Sequence, residues 1–275
     1  MRVHNERKIE KYHTPNHALR DSISLSLFFS RYALKKRKLT KLESFLSSLN
    51  LSRYLNKISI HFFWSIFLGV SFSGMAQNGN YVNEKIVVVI DAGHGGYDSG
   101  TMDGNGHLEK NINLYVAKYV KFYLKKFSPE IKVVLTRDQD VFLSLDRRSV
   151  YPKVVGADLF ISLHCNHNPN SRAEGVEIYV QNTTKESVQT NLKKAIVFGN
   201  ILDRNMVEKL GYKSRGILRN NYQVLRESIS FTPGILIEMG FFSNKDESQY
   251  LNSRKGINGL SLAITKSIMD YFEKK

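Results

Sequence analysis

One cysteine in 275 residues excludes a good deal. With Cys165 alone there is no intrachain disulfide and no zinc site built from thiolates. No cysteine follows the small residues Gly74 and Ala76, so lipid attachment at that point is excluded too. Glycines crowd positions 93–106, yet neither nucleotide-binding pattern is present. Three residues beyond Gly95 stands Asp98 rather than glycine, and no Lys-Ser or Lys-Thr pair closes the loop. Internal repeats and low-complexity tracts are absent. Residues 58–76 contain no Lys, Arg, Asp or Glu at all.

What surrounds that uncharged stretch gives it a meaning. Residues 1–57 carry 13 Lys and Arg against 4 Asp and Glu, so +9 of the net +15 lies there; residues 77–275 carry 27 against 21. A basic flank, an apolar core and small residues at its end read as an export signal. A single-pass anchor is the rival, because the segment is just long enough to span a bilayer. A positive flank before an export segment accounts for the basic tail without nucleic acid. The tail is longer than an export signal needs, which fits either a start codon set too early or a cytoplasmic tail. The expected organisation is a basic extension over 1–57, a signal peptide or anchor over 58–76, a polar linker over 77–84 and one domain over 85–275. The product is expected to be exported to the periplasm or cell envelope. Membrane contact would come only through the N-terminal export segment, and no nucleic-acid partner is expected.

The domain alternates strand and helix. Ile86 to Ile90 is a β-branched run, suited to a strand buried on both faces, and the strand is expected over 85–91. Positions 109–126 read as a helix, with Ile112, Val116, Tyr119, Val120 and Tyr123 on one face and lysines opposite. Strands follow at 131–136, 158–164, 175–180 and 234–239, with a further short one at 223–225. Helices are expected at 143–155, ended near Tyr151 by Pro152, and at 186–210, 245–251 and 256–272. The order predicts an α/β fold: a mainly parallel, twisted sheet of about six strands with helices on both faces.

Three apolar runs end in ionisable residues: Asp91-x-x-His94, His164 and Glu238. In a parallel sheet such ends share one edge, where open α/β folds bind ligands. Glu109, fifteen residues beyond His94, opens the first helix. Two histidines and a carboxylate on one zinc leave a position open, as hydrolytic sites require. Spacing alone also permits Glu238 as the third ligand with Glu109 as base. Asn166 shares a strand face with His164 and would either hold substrate or order the loop. Cys165 points the other way and reads as packing. Arg148 and Arg226 could meet anionic groups on a substrate, although arginines are more often solvated or structural. His107 and His167 read as loop residues. Asp91 either orients His94 from behind or simply ends its strand.

The segments Ile-Asp-Ala-Gly-His94-Gly-Gly, Glu109-Lys-Asn-Ile-Asn113-Leu, Leu-Thr-Arg137-Asp, Ala157-Asp-Leu-Phe-Ile-Ser-Leu-His164-Cys-Asn166, Glu174-Gly-Val-Glu-Ile-Tyr and Ile235-Leu-Ile-Glu238-Met-Gly-Phe occur in that order. Together they resemble the zinc-dependent N-acetylmuramoyl-L-alanine amidases of the cell-wall type, over about 85–273. The resemblance implies one zinc ion per chain on His94, Glu109 and His164, and Glu238 as the catalytic glutamate. It implies peptidoglycan as substrate, cut at the amide joining muramic acid to L-alanine. Asn166 and Arg226 are the substrate-binding candidates, and an activator protein is a partner the resemblance leaves open. Ala92 stands where many relatives have proline, and Tyr151-Pro152-Lys153 replaces their usual Ala-Asn. The stretch from Val180 to Gly234 is too short to hold the helix that plugs the site in some relatives, so no internal plug is expected. No separate wall-binding domain is read. A carboxypeptidase or deacetylase acting on the same polymer, or an inactive wall-binding module, would be the alternatives.

Overall fold

The six strands are β1 (Val87–Ala92), β2 (Lys132–Leu135), β3 (Leu159–Asn166), β4 (Val176–Gln181), β5 (Ser214–Asn220) and β6 (Gly234–Phe241), and they form one sheet in the order β2-β1-β3-β6-β4-β5. The computed structural model describes residues 85–273; the extension, export segment and linker expected over 1–84 lie outside the described residues. Strands β2, β1, β3 and β6 run parallel. Strand β4 is antiparallel to β6, and β5 is parallel to β4. The sheet is thus mainly parallel, as expected, with a reversed pair at one edge.

Six helices surround it: α1 (Glu109–Phe127), α2 (Leu145–Val155), α3 (Gln189–Leu210), α4 (Gln223–Ser228), α5 (Lys245–Leu251) and α6 (Arg254–Glu273). Helices α1 and α3 each pack on α6, while α2 packs on α4. In α1 the buried apolar positions Ile112, Val116, Val120 and Leu124 recur every four residues, and Lys125 and Lys126 close its last turn. The period of two in the strands sorts the rest. Val89, Phe160 and Leu236 form a core with Val224 and Leu225 of α4, and Tyr151 and Val155 of α2 pack against it. Among the described residues no helix is long and apolar enough to cross a membrane.

Two expectations of the chain's course are corrected. Residues 223–225 are not a strand but the first turn of α4. The edge strand is instead Ser214–Asn220, a partly exposed segment with only two large apolar side chains, which hydrophobic patterning passes over. Pro152 does not end α2 near Tyr151. The helix runs on to Val155, where Gly156 in the left-handed conformation closes it and Ala157 N–H reaches Pro152 O at 2.9 Å. Proline costs a helix one N–H bond and crowds the preceding turn, and here it falls in the last turn.

The stretch from β4 to β6 holds one short 3-10 turn at Glu186–Val188, then α3, β5 and α4. Helix α3 packs on β4, β5 and α6, and α4 on α2, β6 and β4. Each helix in this stretch is therefore committed to the sheet or its flanking layer.

Candidate active site

Parallel β1, β3 and β6 end on one edge, and the register sets neighbours there. His164 on β3 pairs with Glu238 on β6, and Glu238 pairs with Glu177 on β4. The three side chains line one sheet face in a row. His94 lies two residues beyond β1 at φ 60, a left-handed conformation rarely held by a residue other than glycine. Gly93 allows the chain to pass this closely: a Cβ there would sit 2.7 Å from His164 Nδ1 and 2.5 Å from Nε2.

Buried arginines hold the His94 turn. Arg137 donates from Nε to Ala92 O at 2.9 Å and from Nη2 to Gly93 O at 2.9 Å and Lys110 O at 2.8 Å. Arg148 donates to Ala92 O at 2.7 Å, to His94 O at 2.6 Å and to Asp91 Oδ1 at 2.8 Å. Asp91 also accepts from Thr136 and Ser162 hydroxyls. So Asp91 reaches His94 only through Arg148, and its role at the strand end is to hold that guanidinium. Arg148 is 2% exposed. Its place is inside the fold, so of its two readings the structural one holds and the partner for substrate carboxylates does not. Arg148→Ala would remove the guanidinium directly paired with buried Asp91. The expected loss is about 3–5 kcal/mol of unfolding free energy, read from urea denaturation; a change under about 1 kcal/mol would refute this role.

Glu109 is the hub. It is the first residue of α1 and almost fully buried. Its Oε1 lies 3.2 Å from His94 Nε2 and 3.0 Å from His164 Nδ1. Cys165 N–H and Asn113 Nδ2 donate to the same oxygen at 3.0 and 3.2 Å, and Thr101 N–H donates to Oε2 at 2.9 Å. The two imidazoles meet edge to face with centroids 5.0 Å apart. One donor atom from each of His94, Glu109 and His164 lies within 4.8 Å of the others. Two imidazole nitrogens and a carboxylate oxygen at this separation fit a zinc ion. Asp98 Oδ1 sits 2.8 Å from His94 Nδ1, the outer carboxylate contact that fixes a ligating ring.

Charge follows the packing. Burial resists ionisation of Glu109, but hydrogen bonds and charge from His164 and His94 outweigh it and hold the carboxyl far below its ordinary range. Burial likewise resists protonation of His164, yet Glu109 outweighs it and lifts the imidazole to about 9. His94 is raised against its burial for the same reason. Glu238 behaves differently. Burial first, then the charges of Glu109 and Glu177, raise it against the pull of His164 to about 7. Its buried Oε2 has no hydrogen-bond partner among the described residues. An unpartnered carboxylate oxygen with raised proton affinity, beside a metal-type cluster, suits a general base.

Asn166 donates to Glu177 Oε2 at 2.7 Å and accepts from His167 N–H at 2.7 Å. Arg226 lies on α4; it donates to Asn221 O at 3.0 Å and approaches Glu227 at 3.5 Å. Cys165 is buried, and burial pushes its thiol up, consistent with packing. His107 faces Asp103, which Ser248 and Asn252 of the α5 region also bind. Sequence reading missed Glu177, a buried carboxylate met by Arg215 at 2.7 Å, by Tyr179 and by Asn166. Its one signal was a charge placed mid-strand among Val176, Ile178 and Val180. Asp98 was missed because loop aspartates usually serve turns.

The chain matches, over residues 88–270, the family described as N-acetylmuramoyl-L-alanine amidase. An endolysin of Bacillus phage SPP1 is 35% identical over 189 residues, 69% of this chain and 67% of the endolysin. The N-acetylmuramoyl-L-alanine amidase from Clostridium difficile 630 is a solved structure 32% identical, with a TM-score of 0.60 over 69% of this chain and 98% of that one. The amidase AmiC2 of Nostoc punctiforme is 33% identical, with a TM-score of 0.58 over 69% of this chain and 98% of its own.

Proposed function

The chain belongs to the N-acetylmuramoyl-L-alanine amidase family, and from that premise we propose that His94, Glu109 and His164 hold one zinc ion while Glu238 serves as the proton carrier. The enzyme is a peptidoglycan amidase that cleaves the bond between N-acetylmuramic acid and L-alanine of the stem peptide. The observation that supports the division of roles is the free, buried Oε2 of Glu238 beside a three-residue donor set that does not include it.

Zinc bound there would polarise the amide carbonyl and lower the pKa of an attacking water from about 16 toward about 7. Glu238 takes the proton of that water as its oxygen bonds to the carbonyl carbon. The C–N bond then breaks, and Glu238 returns the proton to the leaving amino group of L-alanine. Asp98 holds His94 by Nδ1, and the backbone N–H groups of Thr101 and Cys165 hold Glu109, so the donor atoms are fixed beforehand. Arg226 is the proposed partner for a carboxylate of the stem peptide: it lies on α4 one turn beyond Tyr222, a residue that feels the charge of Glu238. Asn166 is proposed to act on substrate by fixing the end of β3 through Glu177.

The substrate lies in the cell envelope. Residues 58–76 are proposed to take the enzyme there as a cleaved signal or as an anchor.

Zinc binding must displace protons. His164 is lifted to about 9 in the metal-free protein, so at pH 7 it carries an extra proton that the metal has to displace, and His94 is raised in the same direction. Binding at pH 7 is expected to release at least the proton of His164, and affinity should weaken as pH falls. Calorimetry in buffers of different ionisation enthalpy measures the release; zero protons released would contradict the ligand set.

Product analysis tests the function. The zinc-loaded full chain, incubated with purified sacculi, should free peptides that begin with an L-alanine amino terminus and leave the glycan intact. Release of D-alanine or acetate instead would make it a carboxypeptidase or a deacetylase. A chain that holds zinc yet releases nothing would point to a required activator protein, and a chain that binds no zinc to a non-catalytic module.

A further inference from the structure

Two aromatic rings are stacked in solvent beside His94. Tyr97 is 82% exposed and Phe142 39% exposed. Their centroids are 4.3 Å apart and their planes 25° from parallel. Aromatic surface left in water is unfavourable, and a contiguous patch of it marks a binding surface.

The patch is held firmly. Gly95 and Asp98 exchange backbone hydrogen bonds of 2.8 and 3.2 Å, which makes residues 95–98 a tight turn with Tyr97 near its tip. Gly96 N–H donates to Asp140 Oδ1 at 2.8 Å, and Lys110 Nζ donates to Gly96 O and to Asp140 Oδ2, each at 2.7 Å. Gly96 has φ +60, and a Cβ there would lie 2.7 Å from Phe142 N. Glycine therefore lets the 141–142 backbone lie on the turn and bring the rings together. Asp98, at the other end of the same turn, binds His94 Nδ1. One four-residue turn thus carries a rigid aromatic face at its tip and, at its foot, the carboxylate that orients a ligand of the proposed zinc.

We propose that Tyr97 and Phe142 form a ledge on which a pyranose ring of the glycan strand stacks. The inference rests on the amidase reading: the scissile amide joins a sugar to a peptide, so a sugar ring must lie within a few bonds of the reacting carbon. The C–H face of a pyranose is apolar with slightly positive hydrogens, and an aromatic face is negative. A ledge one short turn from His94 meets the sugar side of the bond while the stem peptide takes the other side.

The test uses the zinc-loaded full chain, with peptide-free oligosaccharides of alternating N-acetylglucosamine and N-acetylmuramic acid as the binding probe. In calorimetric titration Tyr97→Ala should weaken binding about 5–10-fold, and Phe142→Ala should do so to a lesser degree. Tyr97→Phe, which keeps the face, should stay within about twofold. Thermal melts should be unchanged, since Tyr97 is exposed. In turnover, the ratio of kcat/KM on a muramoyl-peptide to that on the corresponding lactoyl-peptide without the sugar should fall by the same factor in Tyr97→Ala, through KM. No oligosaccharide binding by the parent, equal binding by parent and Tyr97→Ala, or an equal fall on both substrates would overturn the ledge. Failure of the amidase reading looks different: the parent would free no L-alanine amino termini, while the oligosaccharide titration would still report on the ledge.

Discussion

Glu238→Gln lowers kcat on peptidoglycan by about 10²–10⁴-fold, the usual worth of a general acid–base group, and leaves the zinc content at one ion per chain. The amide has the shape of the carboxyl but cannot accept a proton at neutral pH. KM should change little, because no binding contact is removed. The same substitution should not weaken the fold. Oε2 of Glu238 has no partner to lose, and burial already pushes the carboxyl up to about 7. A raised carboxyl pKa has a definite sign. The folded protein keeps a proton that the unfolded chain gives up above its ordinary value near 4.5, so stability falls as pH rises from there through about 7. Glutamine removes that loss, and above pH 7 the variant should melt at or above the parent's temperature. A variant that loses activity and fold together would mean Glu238 is structural. One that keeps parental kcat would end its role as base.

This trade of stability for chemistry bears on what the sequence made legible. His94, His164 and Glu238 stood out because a charge or imidazole at the end of an apolar β-branched run has no reason in packing alone. Glu109 stood out only by its position before a helical period, and nothing local said that it would be buried between two histidines. The limits have physical causes as well. Arg148 stood open between a substrate and a structural role because the sequence does not show that α2 delivers a guanidinium to Asp91. Glu177 went unread because its partners, Arg215, Tyr179 and Asn166, come from three different strands. Residues 223–225 carried a strand-like apolar pair, Val224 and Leu225, that α4 instead buries against Phe160 and Leu236. Propensity over three residues is too weak to resist such a contact.

Glu109→Gln should do the reverse of Glu238→Gln and lose the metal. The carboxylate oxygen Oε1 faces both imidazoles, Cys165 N–H and Asn113, while Oε2 faces Thr101 N–H. A glutamine amide must turn its NH2 toward one of these donor groups, and no orientation satisfies both sides. Zinc affinity should fall by more than about 100-fold, since outer contacts alone are worth 10–100-fold, and activity should fall with it. Removing the negative charge also releases the histidines. In the parent without metal, His164 is held near 9 against its burial, so its contribution to stability is full below its ordinary value of 6.5 and is lost as pH rises through 9. Without Glu109 burial is opposed only by the charges of Glu238 and Asp91, and His164 should titrate well below its parental value. The stability that the charged ring contributes at acid pH shrinks accordingly, because less of the burial cost is offset. Histidine NMR titrations of the two metal-free proteins measure this directly. The paired variants also separate the two assignments that spacing allowed. If Glu238 were the ligand and Glu109 the base, Glu238→Gln would be the variant without zinc and Glu109→Gln the one that keeps it.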